Sequence, residues 1–373
     1  MSITMHTDEI LKALAAALAG EGPAVRFSPE VAELVPAPEG IAAVVGTSGS
    51  TGQPKQTMLS VEALAASSMG TAIALRGEGQ WLLALPTHYV AGVQVLVRSL
   101  FAGTRPEVMC GAFSPKAFIT AAQEMIDPFR ITSLVPTQLQ RLLDVPEALP
   151  VLRRFNAILL GGAPASERLL AQAREFGLNV VTTYGSAETC GGCVYDGEPL
   201  DGVEVAVREG LHGHNTVWLG GATIADGYLG DPERSAEVFE TIEGARWYRT
   251  GDLGSFDDDG ALRILGRADD VLISGGLKIS ARSVAQALQA IDGVRDVFVA
   301  GVADRDWGQK VVAAVVLEEH LNILALKTQA ADVLARHAIP KTFLVLEQLP
   351  LLPQGKVDRL SLLSQLEAEN QRE

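Results

Sequence analysis

Positive charge is scarce in this chain. Its 373 residues hold 30 lysines and arginines against 45 aspartates and glutamates, a net charge of −15. That balance argues against nucleic acid or an anionic membrane surface as the main partner. An anionic substrate must therefore meet a local positive site rather than a global field. Cysteine is also sparse. Only Cys110, Cys190 and Cys193 are present, an odd number. Cys190-Gly191-Gly192-Cys193 has the spacing of a redox or zinc pair, but no second pair or nearby histidine completes a metal site. It reads as packing of small residues, and the cysteine count suits a reducing cytosol. No apolar run is long enough to span a bilayer. Asp8 and Glu9 stand before a short alanine- and leucine-rich helix, where a secretory leader would need a basic region and a cleavage pattern.

Hydrophobic residues make up 47% and charged residues 20%, ordinary values for a globular protein with room for two or three domains. Apolar runs alternate with helical patterns. Strands are predicted at 41–45, 81–85, 131–135, 157–160 and 180–183, and helices at 8–19, 61–75, 90–101, 138–143 and 166–176. Ser60 suits an N-cap, with Glu62 in the first turn that follows. This rhythm indicates α/β sheets with packed helices. From Leu200 to Leu265 short strands between Gly and Asp turns imply a β-rich subdomain. Beyond 266 a helix at 281–291, strands at 297–302 and 311–317 and a helix at 323–337 form a small α+β unit.

The densest chemistry lies in Gly46-Thr47-Ser48-Gly49-Ser50-Thr51-Gly52-Gln53-Pro54-Lys55. Glycines allow close backbone approach, and amides, hydroxyls and a lysine can cradle phosphate. Gly52 is followed by Gln53, so this is not a Walker A loop. A polar surface turn is the plainer alternative. Further segments stand out: Gly161-Gly162-Ala163-Pro164, Thr183-Tyr184-Gly185-Ser186-Ala187-Glu188, Tyr248-Arg249-Thr250-Gly251-Asp252, Gly266-Arg267-Ala268-Asp269-Asp270, and Gly355-Lys356-Val357-Asp358-Arg359. Inside the apolar stretch 90–101, Arg98 needs a counter-charge or a polar cavity unless it reaches solvent.

In these motifs the sequence resembles the adenylate-forming superfamily of acyl- and aryl-CoA ligases, over about nine tenths of the chain. The resemblance implies a large N-terminal domain of mixed β-sheets with packed helices and a β-rich subdomain, then a small mobile α+β domain. The implied boundaries are 1–266 for the ATP- and acyl-binding domain and 267–373 for the lid. It implies ATP, Mg²⁺ and coenzyme A as reactants, with an acyl-AMP formed first and a thiol displacing AMP. Thr47, Ser48, Gly49, Ser50, Thr51, Gly52 and Lys55 would bind phosphates. Gly161, Gly162, Ala163, Thr183, Tyr184, Gly185, Ser186, Asp252 and Arg267 would bind the nucleotide, with Asp252 on the ribose. Glu188 would hold the metal, Asp269 would be the hinge, and Gly275, Gly276 and Lys278 would face coenzyme A. Lys356 would be the adenylation lysine and His88, Tyr89 and Arg98 would line the acyl pocket.

Two departures qualify the match. Gln56 replaces a usual glycine and Ala187 a usual threonine, so one hydroxyl expected at the α-phosphate is missing. Within the superfamily, Arg98 and the segment 132–143 resemble the o-succinylbenzoate–CoA ligases of menaquinone biosynthesis, in a shorter form. Only about forty residues precede the phosphate loop, and self-association would cover the surface this leaves open. A ligase for another carboxylic acid and a non-catalytic nucleotide-binding scaffold are the alternatives.

Overall fold

A computed structural model describes residues 7–27, 35–47, 55–209, 215–305, 307–352 and 357–371. The chain divides into two compact units. The first comprises Met1–Ala206, Trp218–Thr250 and Asp258–Leu262, and the second Val207–Val217, Gly251–Asp257 and Arg263–Glu373.

The centre of the first unit is a seven-stranded sheet. In spatial order its strands are Glu198–Pro199, Gly191–Tyr195, Val180–Ser186, Ala157–Leu160, Arg130–Leu134, Gln80–Leu83 and Glu107–Val108. The five from Val180–Ser186 to Glu107–Val108 run parallel. Ala157–Leu160 is buried at every position, which is why it reads as an unbroken apolar run rather than an alternation. Leu82, Leu134, Ile158 and Leu160 turn into one core with Phe118, Leu139, Leu142 and Leu152. The C-terminal ends of these parallel strands lead into the segments Gly161–Ala163 and Ala187–Thr189 that the motifs mark.

A smaller sheet carries both ends of the glycine- and hydroxyl-rich segment 46–55. Ile41–Thr47 and Lys55–Ser60 pair antiparallel, with Thr47 opposite Lys55. The strand Lys55–Ser60 was not foreseen from the sequence, because its Lys-Gln-Thr-Met-Leu-Ser run is half polar. Its residues alternate, with only Thr57 and Leu59 buried. On its outer side it pairs with Gly227–Tyr228, Tyr228 opposite Thr57. The helix Val61–Leu75 follows within the predicted bounds. Ser60 holds the N-cap position but makes no side-chain capping bond there. The β-rich region folds as a five-stranded sheet of Val203–Glu209, Asn215–Gly221, Ala245–Phe256, Phe239–Ile242 and Leu262–Arg267.

The second unit contains a sheet in the order Leu277–Ser280, Val271–Ser274, Gly308–Leu317, Val294–Asp304, with Thr342–Val345 parallel to Gly308–Leu317. Its central strand is covered on both faces. Val311, Ala313 and Val315 pack in one core with Val284, Leu288 and Leu326. Val312, Ala314 and Val316 pack in another with Leu362 and Leu366 of the helix Arg359–Asn370. Side chains alternate across a strand, so one apolar run supplies both cores. The helix foreseen to end at His337 stops at Val333.

Candidate active site

The structure brings two of the marked segments together in the first unit. Glu188 sits in the turn Ala187–Thr189, directly after Val180–Ser186, and is 6% exposed. Its Oε1 accepts a hydrogen bond of 2.8 Å from the Tyr228 hydroxyl. That hydroxyl in turn accepts from Lys55 Nζ at 3.2 Å, and the Lys55 ammonium lies 4.8 Å from the Tyr228 ring centroid. A buried carboxylate is costly unless it is paired and hydrogen-bonded; here a phenol and a nearby ammonium share that task. Burial, then the Glu188 charge, pushes the Tyr228 phenol far above its ordinary value, so it stays protonated and remains a donor.

Glu188 suits a hard cation by the chemistry of its donor atoms. One carboxylate oxygen is oriented by Tyr228, and among the described residues no hydrogen bond engages the other. No group of three or more metal-ligating side chains occurs among the described residues. Mg²⁺ is commonly held by one or two carboxylates together with substrate phosphates, and Glu188 could supply one of them.

Backbone geometry explains several glycines. A Cβ at Gly161 would stand 2.3 Å from Thr183 Oγ1, so strand-to-strand contact there needs glycine. Gly162 adopts φ +79°. Gly185 adopts φ +156°, and a Cβ on it would lie 2.0 Å from the Gly191 carbonyl oxygen. Tyr184, Gly185 and Ser186 thus continue the strand that delivers Glu188, and Ser186 Oγ is buried with no hydrogen-bond partner among the described residues. Ser48–Gly52 and Lys356 lie outside the described residues. Thr47 ends its strand opposite Lys55.

His88 and Tyr89 precede the helix Val90–Phe101, with Tyr89 at its N-cap and ring centroids 4.1 Å apart. Burial lowers the His88 imidazole and raises the Tyr89 phenol, favouring the neutral form of each. Arg98 does not reach solvent. It is 6% exposed, its guanidinium carbon lies 5.3 Å from the Trp81 ring centroid, and Nε and Nη2 have no hydrogen-bond partner among the described residues. It lines a cavity of about 10 Å³ together with Ser68, whose Oγ is likewise unpartnered. That space fits one water-sized atom, about a single carboxylate oxygen. A desolvated cation–π contact is worth about 2 kcal/mol, less than the several kcal/mol that burying a guanidinium costs. An anion would offset the remainder.

Sequence reasoning missed Tyr228, Gln94 and Ser68. Gln94 is 1% exposed, and its amide donates to the Cys190 carbonyl. Gln94 and Arg98, four residues apart on an otherwise apolar helix, were a legible signal. Tyr228, 40 residues from Glu188, carried none. Cys190 and Cys193 are buried free thiols. Burial pushes Cys193 up to about 12 and Cys190 higher still, so both are protonated and unreactive.

In the second unit Arg267 donates to Asp269 at 2.8 Å and lies 3.6 Å from Asp252. The bond to Asp269 raises Arg267 despite burial. At Asp269 burial works upward, but the Arg267 hydrogen bond and charge outweigh it and hold the carboxyl below its usual range. Arg359 donates to Asp270. Gly275 and Gly276, at φ +58° and +79°, form the turn between Val271–Ser274 and Leu277–Ser280, and Lys278 is exposed beside it.

A glycine-bounded strand end, a buried carboxylate and a lysine at the exit of a glycine- and hydroxyl-rich loop define the class: an adenylate-forming enzyme fold. The chain belongs to the AMP-binding enzyme family, which matches residues 3–229, while the AMP-binding enzyme C-terminal domain matches 283–356. It is similar to a probable 2-succinylbenzoate–CoA ligase of Mycobacterium tuberculosis, 40% identical over 88% of this chain and 85% of that protein. The o-succinylbenzoate CoA synthetase of Bacillus subtilis, solved with the acyl-adenylate intermediate, superimposes at TM-score 0.73 with 28% identity over 89% of this chain and 72% of that one. The same synthetase has been solved with ATP and magnesium ion, at TM-score 0.72, 28% identity and coverage of 89% and 73%. ATP-bound MatB of Rhodopseudomonas palustris matches at TM-score 0.78 and 25% identity, over 91% of this chain and 71% of that one.

Gly185→Ala is expected to strain the strand that delivers Glu188. Overpacking of this kind costs about 1–3 kcal/mol, and a lowered urea midpoint together with weakened ATP binding would register it. An unchanged midpoint would remove the steric requirement at Gly185.

Proposed function

We propose that the chain is an AMP-forming ligase that adenylates 2-succinylbenzoate and passes the acyl group to coenzyme A, a step in menaquinone biosynthesis. The observation that carries the acyl assignment is the buried Arg98 guanidinium with unpartnered Nε and Nη2 beside an unpartnered Ser68 hydroxyl. A substrate with a second carboxylate would supply a counter-charge, with one oxygen entering the cavity beside Arg98. A monocarboxylic acid would bring Arg98 no second carboxylate, leaving Glu78 as the acid that lines the same cavity. Similarity to the M. tuberculosis and B. subtilis ligases supports the same reading.

In the first half-reaction an oxygen of the aryl carboxylate attacks the α-phosphorus of ATP. The bond to the bridging oxygen breaks and pyrophosphate leaves. The backbone and hydroxyls of 47–52 and Lys55 would hold the phosphates, Glu188 would hold the metal, and Gly161, Gly162, Ala163, Thr183, Tyr184, Gly185 and Ser186 would hold the base and α-phosphate. Mg²⁺, when bound, neutralises charge on the phosphate oxygens. Asp252 accepts from the ribose hydroxyls, and Arg267 contacts the ribose or phosphate. Lys356 stabilises charge developing at the α-phosphate and bridging oxygen. In the second half-reaction the thiol of coenzyme A attacks the acyl carbon, AMP departs with the bonding pair, and the thiol proton passes to solvent. Gly275, Gly276 and Lys278 border the pantetheine path, and Asp269 is the pivot. The domains are 1–266 for ATP and acid, and 267–373 for the lid. A cytoplasmic setting suits the free thiols, and among the described residues no helix is long and apolar enough to cross a membrane.

Pyrophosphate release with a panel of acids tests the assignment. 2-Succinylbenzoate is expected to be preferred, and preference for a monocarboxylic fatty acid would refute it. Arg98→Ala is expected to raise KM for the dicarboxylic acid more than for benzoate, by about the 10–100-fold that 1.4–2.8 kcal/mol of lost pairing represents. Equal effects on both would take Arg98 out of the pocket. Lys356→Ala should abolish adenylation and largely spare thioester formation from supplied acyl-AMP, and equal loss of both steps would contradict its role.

A further inference from the structure

Tyr228 belongs to none of the segments that the sequence marks, yet it joins two of them. The segment Ala225–Leu229 is tied along both sides. On one side the Asp226 amide donates to the Met58 carbonyl at 3.0 Å and the Leu229 amide to the Gln56 carbonyl at 2.8 Å, which fixes it to the strand leaving the phosphate loop. On the other side the Ala225 amide donates to the Glu188 carbonyl at 3.0 Å. Arg246 clamps the same segment, donating to the Ala225 and Asp226 carbonyls at 2.8 and 2.7 Å. The Tyr228 amide is held by Ser235 Oγ at 2.8 Å, and its ring packs edge-on against Phe239 with centroids 5.5 Å apart. The ring is 2% exposed. Its amide, ring and hydroxyl are each engaged, and the hydroxyl donates to Glu188 Oε1.

We propose that Tyr228 is a positioning residue for the metal–nucleotide complex: its hydroxyl sets the orientation of the Glu188 carboxylate, so that the other oxygen faces the cation. The idea rests on Glu188 being the metal-holding residue, as the proposed function has it, but not on which acid is adenylated. Groups that orient a ligating carboxylate typically matter about 10–100-fold for metal affinity or activity. The phenol is suited to the role because its hydroxyl donates to one Glu188 oxygen at 2.8 Å while accepting from Lys55. A cation in its place would neutralise the carboxylate that must attract the metal. Lys55 Nζ, donating to the same oxygen, places the phosphate-loop lysine in register with that carboxylate.

The test is ATP binding by titration calorimetry with and without Mg²⁺, in the absence of any acid, on the full chain. In the parent protein Mg²⁺ is expected to tighten ATP binding. Tyr228→Phe keeps the ring and removes only the hydroxyl. It should reduce the Mg²⁺-dependent gain by about 10–100-fold, a larger loss than any in metal-free ATP binding, and lower the melting temperature modestly, because a buried carboxylate loses its donor. In a Glu188→Gln background the same substitution should add no further loss, because it acts through the carboxylate. An equal loss of metal-free binding, additive losses in the double variant, or an unaltered Mg²⁺ gain would each overturn the proposal. A second measurement does not depend on the phenylalanine variant folding. With 3-fluorotyrosine at position 228, the fluorine resonance should move when Mg²⁺ is added to the ATP complex, and should stay still in Glu188→Gln. A resonance indifferent to Mg²⁺ would also overturn it. If Mg²⁺ tightens ATP binding in neither the parent nor the variant, the role given to Glu188 fails and the proposal falls with it. Rejection of 2-succinylbenzoate as substrate, by contrast, leaves both measurements intact.

Discussion

The first unit depends on a short strand that lies between two functional elements. Gly227–Tyr228 pairs with the strand leaving the phosphate loop, and the residue before Asp226 ties to the Glu188 turn. Without that link, Lys55 and Glu188 would sit on separate sheets with no fixed distance between them. With it, a lysine and a carboxylate 133 positions apart share one phenolic oxygen, since Lys55 and Glu188 both bond the Tyr228 hydroxyl. Backbone hydrogen bonds carry most of this constraint. They are insensitive to side-chain identity, so the backbone path here does not depend on which side chains stand at Gln56 and Ala187. Gln56 stays in the strand, where its carbonyl accepts from Leu229. Ala187 is 3% exposed, packed in the turn before Glu188.

A different physical logic governs the acyl side. The helix Val90–Phe101 buries Gln94 and Arg98 on an apolar element. The Gln94 amide is spent on the Cys190 carbonyl. Arg98 has the face of Trp81, and Glu78 and Ser68 line the same small cavity. On the proposed reading, burying a guanidinium lowers the stability of the free protein, and a ligand that brings a carboxylate recovers that cost. Selectivity then follows from a penalty on the wrong substrate as much as from attraction to the right one.

Much of this was legible in the sequence. The helices 61–75 and 90–101 and the strand 157–160 stand at the bounds that periodicity gave them, because each has a clean pattern and clear punctuation. The double-faced strand Gly308–Leu317 also announced itself as an apolar run. Three kinds of feature did not. Lys55–Ser60 is a strand because its neighbours pair with it, not because its residues prefer to be one. The helix Arg359–Asn370 closes a core through Leu362 and Leu366, with polar residues dominating the rest of its surface. Tyr228 was invisible because its role is defined by partners brought together only in the folded chain. The glycine motifs were readable for the opposite reason: Gly161 and Gly185 leave no space for a Cβ, and that local demand is written in the residue itself.

The central claim is that a single nucleotide is held by the phosphate loop, Lys55 and Glu188, with the acid's second carboxylate at Arg98. A crystal structure of the chain with ATP, Mg²⁺ and 2-succinylbenzoate tests it most directly. The expected density places the metal on Glu188, the phosphates along the turn that begins at Thr47, and the succinyl carboxylate against the Arg98 guanidinium. Nucleotide density elsewhere in the folded chain, with Glu188 and Lys55 untouched, would contradict the account.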